Sequence, residues 1–408
     1  MLKNAIVGQS GGPTSVINAS LAGVFKTARD LGLTHIYGMR NGIEGLLSER
    51  YVDLGDYIKN DVDIELLKGT PSAFLGSCRY KLPHLDKDED IYKKLFGILE
   101  KLDIGYFFYI GGNDSMDTIA QLALYAERIN SEIRFIGVPK TIDNDLVITD
   151  HTPGFGSAAK YVATSIKEII RDGRVYDNNA VSIIEIMGRD AGWLTGSAAL
   201  STGPDCSGPD LIYLPEIVFD VDSFISRVEE VQRARRSVIV CVSEGIRTSD
   251  GNYVCEYTHD ASRTIDAFGH KQLTGTARVL GDVVKERLGC KVRAIEFSLL
   301  QRCAAHMQSE TDVKEAFHVG VAAARAAMDG ETGKVIIIKR EGEEPYQSTM
   351  GSCDVHLIAN YKKDVPREWI NEAGDYVLEE FISYARPLIS GETTPVVVNG
   401  LPRHIENI

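Results

Sequence analysis

Residues 137–150 read Gly-Val-Pro-Lys-Thr-Ile-Asp-Asn-Asp-Leu-Val-Ile-Thr-Asp. They continue a short apolar run, Phe135, Ile136, Gly137 and Val138, that reads as a buried parallel strand. Lys140, Thr141, Asp143 and Asp145 then emerge at the strand's carboxyl end, the edge where open α/β sheets bind ligands. Three carboxylates, Asp143, Asp145 and Asp150, share one short loop with Lys140 and Thr141. An Asx-turn loop with solvated carboxylates would explain such a stretch by itself. Other loops of similar character argue for more.

Toward the N-terminus lies an aromatic strand, Tyr106 to Ile110, followed at once by Gly111-Gly112-Asn113-Asp114-Ser115 and a helical pattern. Earlier still, the strand Ala5-Ile6-Val7 leads through Gly8-Gln9-Ser10-Gly11-Gly12-Pro13-Thr14-Ser15 into a helix carrying Val16, Leu21, Val24 and Phe25 inward. Strand, glycine turn and helix N-terminus make a phosphate-binding layout, because unpaired backbone N–H groups and the helix dipole face the ligand. The spelling is neither G-x-G-x-x-G nor a Walker A loop, so a plain tight turn also fits it. Between these turns, Arg79 and Lys81 lie in a glycine- and serine-containing loop that could meet a phosphate.

Toward the C-terminus, a helix is expected over about 155–171, then strands at 180–186, 211–214, 237–242, 292–297 and 335–338. Met187-Gly188-Arg189, Ser243-Glu244-Gly245 and Gln301-Arg302 lie just past three of them. A last long helix is expected over about 367–389, with Tyr376, Phe381 and Tyr384 as core.

Composition sets the outer limits. A chain of 408 residues, 44% apolar and 25% charged, is long enough for two α/β lobes. The net charge of −14 argues against nucleic acid or an anionic membrane as partner, so an anionic ligand must be held by a local cluster of Arg and Lys. Seven scattered cysteines without a C-x-x-C spacing suggest reduced thiols and a cytoplasmic location. No signal-peptide pattern and no membrane-spanning apolar run are expected.

With these motifs in place the chain resembles the phosphofructokinase family over residues 6 to about 329. The resemblance rests on Ser-Gly-Gly at 10–12, Phe-Leu-Gly-Ser-x-Arg at 74–79, Gly-Gly-Asn-Asp-Ser at 111–115 and Pro-Lys-Thr-Ile-Asp-Asn-Asp at 139–145. It continues through Met-Gly-Arg at 187–189, Ser-Glu-Gly at 243–245 and Leu-Gln-Arg at 300–302, all in family order. It implies two Rossmann-like lobes with mostly parallel sheets, the active site in the cleft between them, and phosphoryl transfer to the 1-hydroxyl of fructose 6-phosphate. The expected division is a phosphoryl-donor lobe at 1–140 with a late return segment near 250–300. A sugar-phosphate lobe covers 141–250 and about 300–345, and a C-terminal helical extension covers 346–408.

The resemblance also implies roles. Asp143 takes the proton of the sugar hydroxyl, Thr141 orients the acceptor, and Arg189 faces the transferring phosphoryl group. Met187, Gly188 and Glu244 shape the sugar site, and Arg293 and Arg302 pair with the 6-phosphate. Gly12, Arg79, Asp114 and Lys140 handle the donor. Mg2+ is the expected cofactor, at Asn113, Asp114 and Asp145, although Asn113 stands where the family usually has an aspartate. Leu299 and Ala180 replace a histidine and a subunit-crossing arginine of the sugar-phosphate site. Ala22 and Lys26 replace the arginine pair of the bacterial allosteric site, so a non-allosteric enzyme is expected, as a homodimer or homotetramer.

Asp114 and Lys140 bear on the donor. Where ATP-dependent members have glycine, Asp114 sets bulk and charge against an α-phosphate, a repulsion on the order of several kcal/mol in a partly desolvated cleft. Lys140 also replaces a glycine of those members. The pair resembles the pyrophosphate-dependent branch; an ATP-dependent enzyme, a non-catalytic sugar-phosphate sensor, and a lipid or nucleoside kinase are the alternatives.

Overall fold

In the computed structural model, which describes residues 3–257, 273–406 and 408, the short apolar runs become strands covered on both faces, as parallel sheets require. The first lobe carries β1 (Asn4–Gln9), β2 (Ile36–Met39), β3 (Tyr51–Asp53), β4 (Ile104–Gly111) and β5 (Arg134–Pro139). The second carries β6 (Ala180–Ile186), β7 (Leu211–Tyr213), β8 (Ser237–Ser243) and β9 (Lys291–Glu296). The chain then returns to the first lobe as β10 (Lys334–Glu343) and β11 (Tyr346–Asp354). The strand orders are β11-β10-β5-β4-β1-β2-β3 and β7-β8-β6-β9. All neighbours are parallel except the two edge pairs of the first sheet, β2 with β3 and β10 with β11.

Each sheet is packed on both sides. Helices Ile17–Asp30 and Glu310–Met328 cover one face of the first sheet, and Glu89–Lys101 and Asn113–Arg128 the other. In the second lobe Phe155–Gly173 lies on one face, and Val221–Ala234 with Thr276–Leu288 on the other. The chain reverses direction across the sheet between β1 and β4, and again between β6 and β9. Such switch points leave a crevice at the strands' carboxyl ends, where loops diverge. Both crevices receive the motif loops.

Three features differ from the sequence expectation. The return to the first sheet comes through 334–354 rather than near 250–300, and β9 pairs with β6 in the second sheet. An apolar strand carries no label for its partner; the crossover helix Thr276–Leu288 decides it. Second, β11 was not expected, because an antiparallel edge strand keeps one face polar and shows few apolar residues. Third, the long helix over 367–389 is replaced by a short turn, Arg367–Trp369, a hairpin-like bend, and a seven-residue helix, Glu379–Ala385. Gly374 at φ +73° and the Asn371 side chain, accepting from the N–H groups of Asp375 (3.0 Å) and Tyr376 (3.2 Å), form a turn that a helix cannot pass through. Phe381 and Tyr384 nevertheless pack on Trp193 in the second lobe's core, as expected of core aromatics. No helix among the described residues is long and apolar enough to cross a membrane, and all seven cysteines are free thiols.

Candidate active site

The carboxyl ends of β1, β4, β5, β6 and β8 open onto one cleft of about 460 Å³ between the lobes. Its floor is the turn after β1. Gly11 has φ +75°, a conformation other residues adopt only under strain, and a Cβ there would lie 3.3 Å from Lys140 Nζ. A Cβ on Gly12 would lie 3.2 Å from Arg302 Nη1. Two cations therefore press directly on the glycine turn. The buried Gln9 side chain donates to Asn18 Oδ1 (2.8 Å) and accepts from Leu75 N–H (2.9 Å), which ties the 70–79 loop to this turn. Gly11 N–H donates to Cys78 C=O (3.0 Å) and Ser77 Oγ to Gly11 C=O (2.6 Å), so Arg79 is carried into the cleft while Lys81 stays exposed.

At the end of β4, Gly112 caps the helix Asn113–Arg128, which places Asp114 in the first helical turn facing the cleft. Asn113 is engaged elsewhere. Its amide oxygen accepts from Asn360 N–H and its amide nitrogen donates to Tyr361 C=O, so both polar atoms of the expected metal ligand are held by the C-terminal segment.

The loop after β5 is built by its own polar side chains. Thr141 Oγ1 accepts from Asp143 N–H (3.1 Å) and donates to Asp143 Oδ2 (3.3 Å). Asn144 takes a left-handed φ of +54°, tolerated by asparagine, and turns its buried amide away to Thr152 N–H (3.1 Å) and the Tyr384 hydroxyl (2.8 Å). The side chains on either side, Asp143 and Asp145, both line the cleft. Burial pushes both carboxyls up. Lys140, Thr141 and Arg189 pull Asp143 back down, while repulsion from Asp143 adds to the rise of Asp145.

The second lobe supplies the opposite wall. Met187 N–H donates to Gln301 Oε1 (3.2 Å) and Gly188 N–H to Glu244 Oε1 (3.4 Å), bringing the loops after β6, β8 and β9 together around Met187, Arg189, Glu244 and Arg302. Burial and the nearby Asp143 charge push the Glu244 carboxyl up to about 8. Burial pulls Lys140 down to about 8; Asp143 opposes this and Arg79 and Arg302 reinforce it. Arg302 is lowered by burial and by Arg79. Cations that depress one another around a glycine turn form a cradle whose repulsion an incoming polyanion relieves.

A family profile described as "Phosphofructokinase" matches residues 4–327. The chain belongs to the phosphofructokinase family. Among curated phosphofructokinase relatives, a pyrophosphate–fructose 6-phosphate 1-phosphotransferase of Halomonas elongata is 40% identical over 404 residues, covering 98% of this chain and 95% of that protein. The protein of the same name from Methylococcus capsulatus is 40% identical over 407 residues, covering 99% and 95%. The crystal structure of a pyrophosphate-dependent phosphofructokinase from Nitrosospira multiformis superposes with a TM-score of 0.89 at 37% identity, covering 100% of this chain and 97% of that one.

Of the residues singled out from sequence, Gly12, Arg79, Asn113, Asp114, Lys140, Thr141, Asp143, Asp145, Met187, Arg189, Glu244 and Arg302 line this one phosphofructokinase cleft. Gly188 stands immediately behind it on Glu244. Arg293 does not join them: it lies in β9, the edge strand of the second sheet, opposite Ser182 and away from the strand ends. Sequence reasoning missed Asp190, Asn360 and Lys362, which also line the cleft. Asp190 had a signal in its place beside Arg189; the other two lie beyond the family motifs, in a segment without periodicity.

Proposed function

We propose that this phosphofructokinase transfers a phosphoryl group reversibly from pyrophosphate to the 1-hydroxyl of fructose 6-phosphate, giving fructose 1,6-bisphosphate and phosphate. The observation that carries this reading is the cradle itself. Arg79, Lys140 and Arg302 crowd the turn at Gly11 and Gly12, while the Asp114 carboxylate occupies the first turn of the neighbouring helix. A two-phosphate anion satisfies Arg79 and Lys140 and leaves Arg302 for the phosphate of the sugar; a third phosphate bearing a nucleoside would have to pass the Asp114 charge. The near-full-length relatives carry names of the same activity.

In this reading Asp143 accepts the proton of the 1-hydroxyl as O1 forms its bond to phosphorus and the bond from phosphorus to the bridging oxygen breaks. Burial raises the Asp143 carboxyl above an ordinary aspartate, which makes it the stronger base. Thr141 holds the Asp143 carboxylate in place, Arg189 compensates charge on the transferring group, and Glu244 and Met187 bind the sugar with Arg302 on its phosphate. Asp145 and Asp114 in the same cleft suit Mg2+, which binds through one or two carboxylates together with substrate phosphates and would neutralise the donor's charge. The Asn113 amide, already engaged, is not needed for that set. The same reading takes the enzyme as a cytoplasmic, non-allosteric homodimer or homotetramer serving glycolysis.

The test is a donor panel with fructose 6-phosphate and Mg2+. Turnover with pyrophosphate and little or none with ATP is expected; preference for ATP would overturn the donor assignment.

A further inference from the structure

Between the end of β11 and residue 366 the chain forms a strap across the cleft mouth. Val355, Ile358 and Ala359 are buried in the first lobe's core. The backbone then turns at Asn360, with φ +68°, and residues 360–361 make the two hydrogen bonds to the Asn113 amide. The Asn360 side chain adds one to Asp117 Oδ1 (3.2 Å). Two residues later the strap is fastened again, now toward the second lobe. Lys363 N–H donates to Asp145 C=O (2.8 Å), and its ammonium to Asp150 C=O (2.8 Å). Trp193 Nε1 donates to Lys363 C=O (2.9 Å), and Val365 N–H to Glu216 Oε1 (3.0 Å).

Lys362 stands between these fastenings and turns into the cleft, among the same residues as Lys140, Asp143, Arg189 and Arg302. Its ammonium donates to the carbonyl of Asp190 (2.7 Å), the residue after Arg189, and pairs with Asp364 (2.7 Å). Lysine has three N–H donors on a flexible stem, so one remains for a ligand while these contacts set its place. Its side chain is 41% accessible, so meeting an anion requires no burial of a new charge.

We infer that Lys362 is a phosphate-binding residue of this enzyme, held at the cleft by a strap for which Asn113 is the anchor. The inference rests on pyrophosphate being the donor, and it gives Asn113 a role in place of metal binding. Only an amide can accept from Asn360 N–H with one atom and donate to Tyr361 C=O with the other; a carboxylate at this position would face that carbonyl with a lone pair. Asn113 is thus a positioning residue, and Lys362 the group that touches the anion.

Wild type, Lys362→Met, Lys362→Arg and Asn113→Asp should be compared in steady-state kinetics and in calorimetric titration with pyrophosphate and with inorganic phosphate. Removing one charge-assisted contact should raise the pyrophosphate KM and Kd about 10-fold or more, with the fructose 6-phosphate KM changed less than about 2-fold. Lys362→Arg should restore most of the loss, which a packing role would not predict. Asn113→Asp should reproduce the pyrophosphate defect. Unchanged pyrophosphate and phosphate binding in Lys362→Met would overturn the assignment, and an unchanged pyrophosphate KM in Asn113→Asp would overturn the anchor. If the wild type proved to use ATP alone, the donor reading would fall, while the phosphate titration would still decide on Lys362.

Discussion

His151 closes the loop that carries Asp143 and Asp145, and its charge state should set the stability of the join between that loop and the chain's return segment. The imidazole is buried, with Nδ1 2.8 Å from Asp150 Oδ2 and Nε2 2.7 Å from Glu315 Oε2. Arg340 from β10 grips Asp150 through two nitrogens (3.0 and 3.1 Å), and Tyr346 and Ser348 from β11 donate to Glu315 (2.7 and 2.6 Å). Tyr384 donates to Asp150 C=O (2.7 Å), and Asp312 faces the same imidazole from the helix Glu310–Met328. Burial alone would expel the proton, but Glu315 and Asp150 outweigh it and raise His151 from 6.5 to about 9. Asp150 resists its own burial in the same way, and His151 and Arg340 hold it at about 2.

The signs follow from linkage. A histidine raised in the folded state contributes fully below its unfolded value near 6.5 and loses that contribution as pH rises through about 9. A shift of that size corresponds to about 3 kcal/mol at about pH 6, about 2 kcal/mol at about pH 7.5, and almost nothing at about pH 9.5. The depressed Asp150 works at the acid end: its contribution is present above the ordinary aspartate value and disappears only as pH falls through about 2. Other buried groups titrate in the alkaline window, so the quantity to measure is the difference between wild type and His151→Gln. Denaturant unfolding should show that difference shrinking by about 3 kcal/mol between about pH 6 and about pH 9.5. NMR titration of the His151 ring should place its pKa well above that of an exposed histidine. A wild-type-minus-variant difference that does not change with pH would refute the ion-paired state of His151.

Three further outcomes are expected. Asp143→Ala should lower kcat at least ~10²-fold with much smaller change in substrate KM, as for a positioned base; near-normal turnover would remove Asp143 from that role. Asp114→Gly combined with Lys140→Gly should raise the ATP-to-pyrophosphate ratio of kcat/KM, since it removes both the charge facing an α-phosphate and the cation set for the shorter donor; an unaltered ratio would mean that other residues select the donor. The fructose 6-phosphate curve should be hyperbolic and indifferent to ADP and phosphoenolpyruvate, because Ala22 is fully buried and Lys26 is paired with Asp30 at 2.7 Å; a sigmoidal curve relieved by ADP would reveal an effector site.

The strand, glycine turn and helix successions at 5–25 and 106–119, and the strand and aspartate loop at 135–150, could be recognised from contiguous residues, because burial of a parallel strand and the chemistry of a turn are written locally. The same holds for most of the motif residues from Gly12 to Arg302 that meet in the cleft: all but Arg79, which the contacts of its loop to Gln9 and Gly11 bring in, follow a strand's carboxyl end, and parallel sheets gather such ends on one edge. What joins remote segments was not open to that reading. The sheet that β9 enters, the 164-residue separation of His151 from Glu315, and the 247-residue separation of Asn113 from Asn360 leave no periodic trace. Single polar contacts of this kind contribute only ~1 kcal/mol each and constrain two side chains, not a pattern of many. Tertiary structure therefore decided which amide holds the strap, which lysine reaches the cleft from beyond the motifs, and that Arg293 on an edge strand stays out of it.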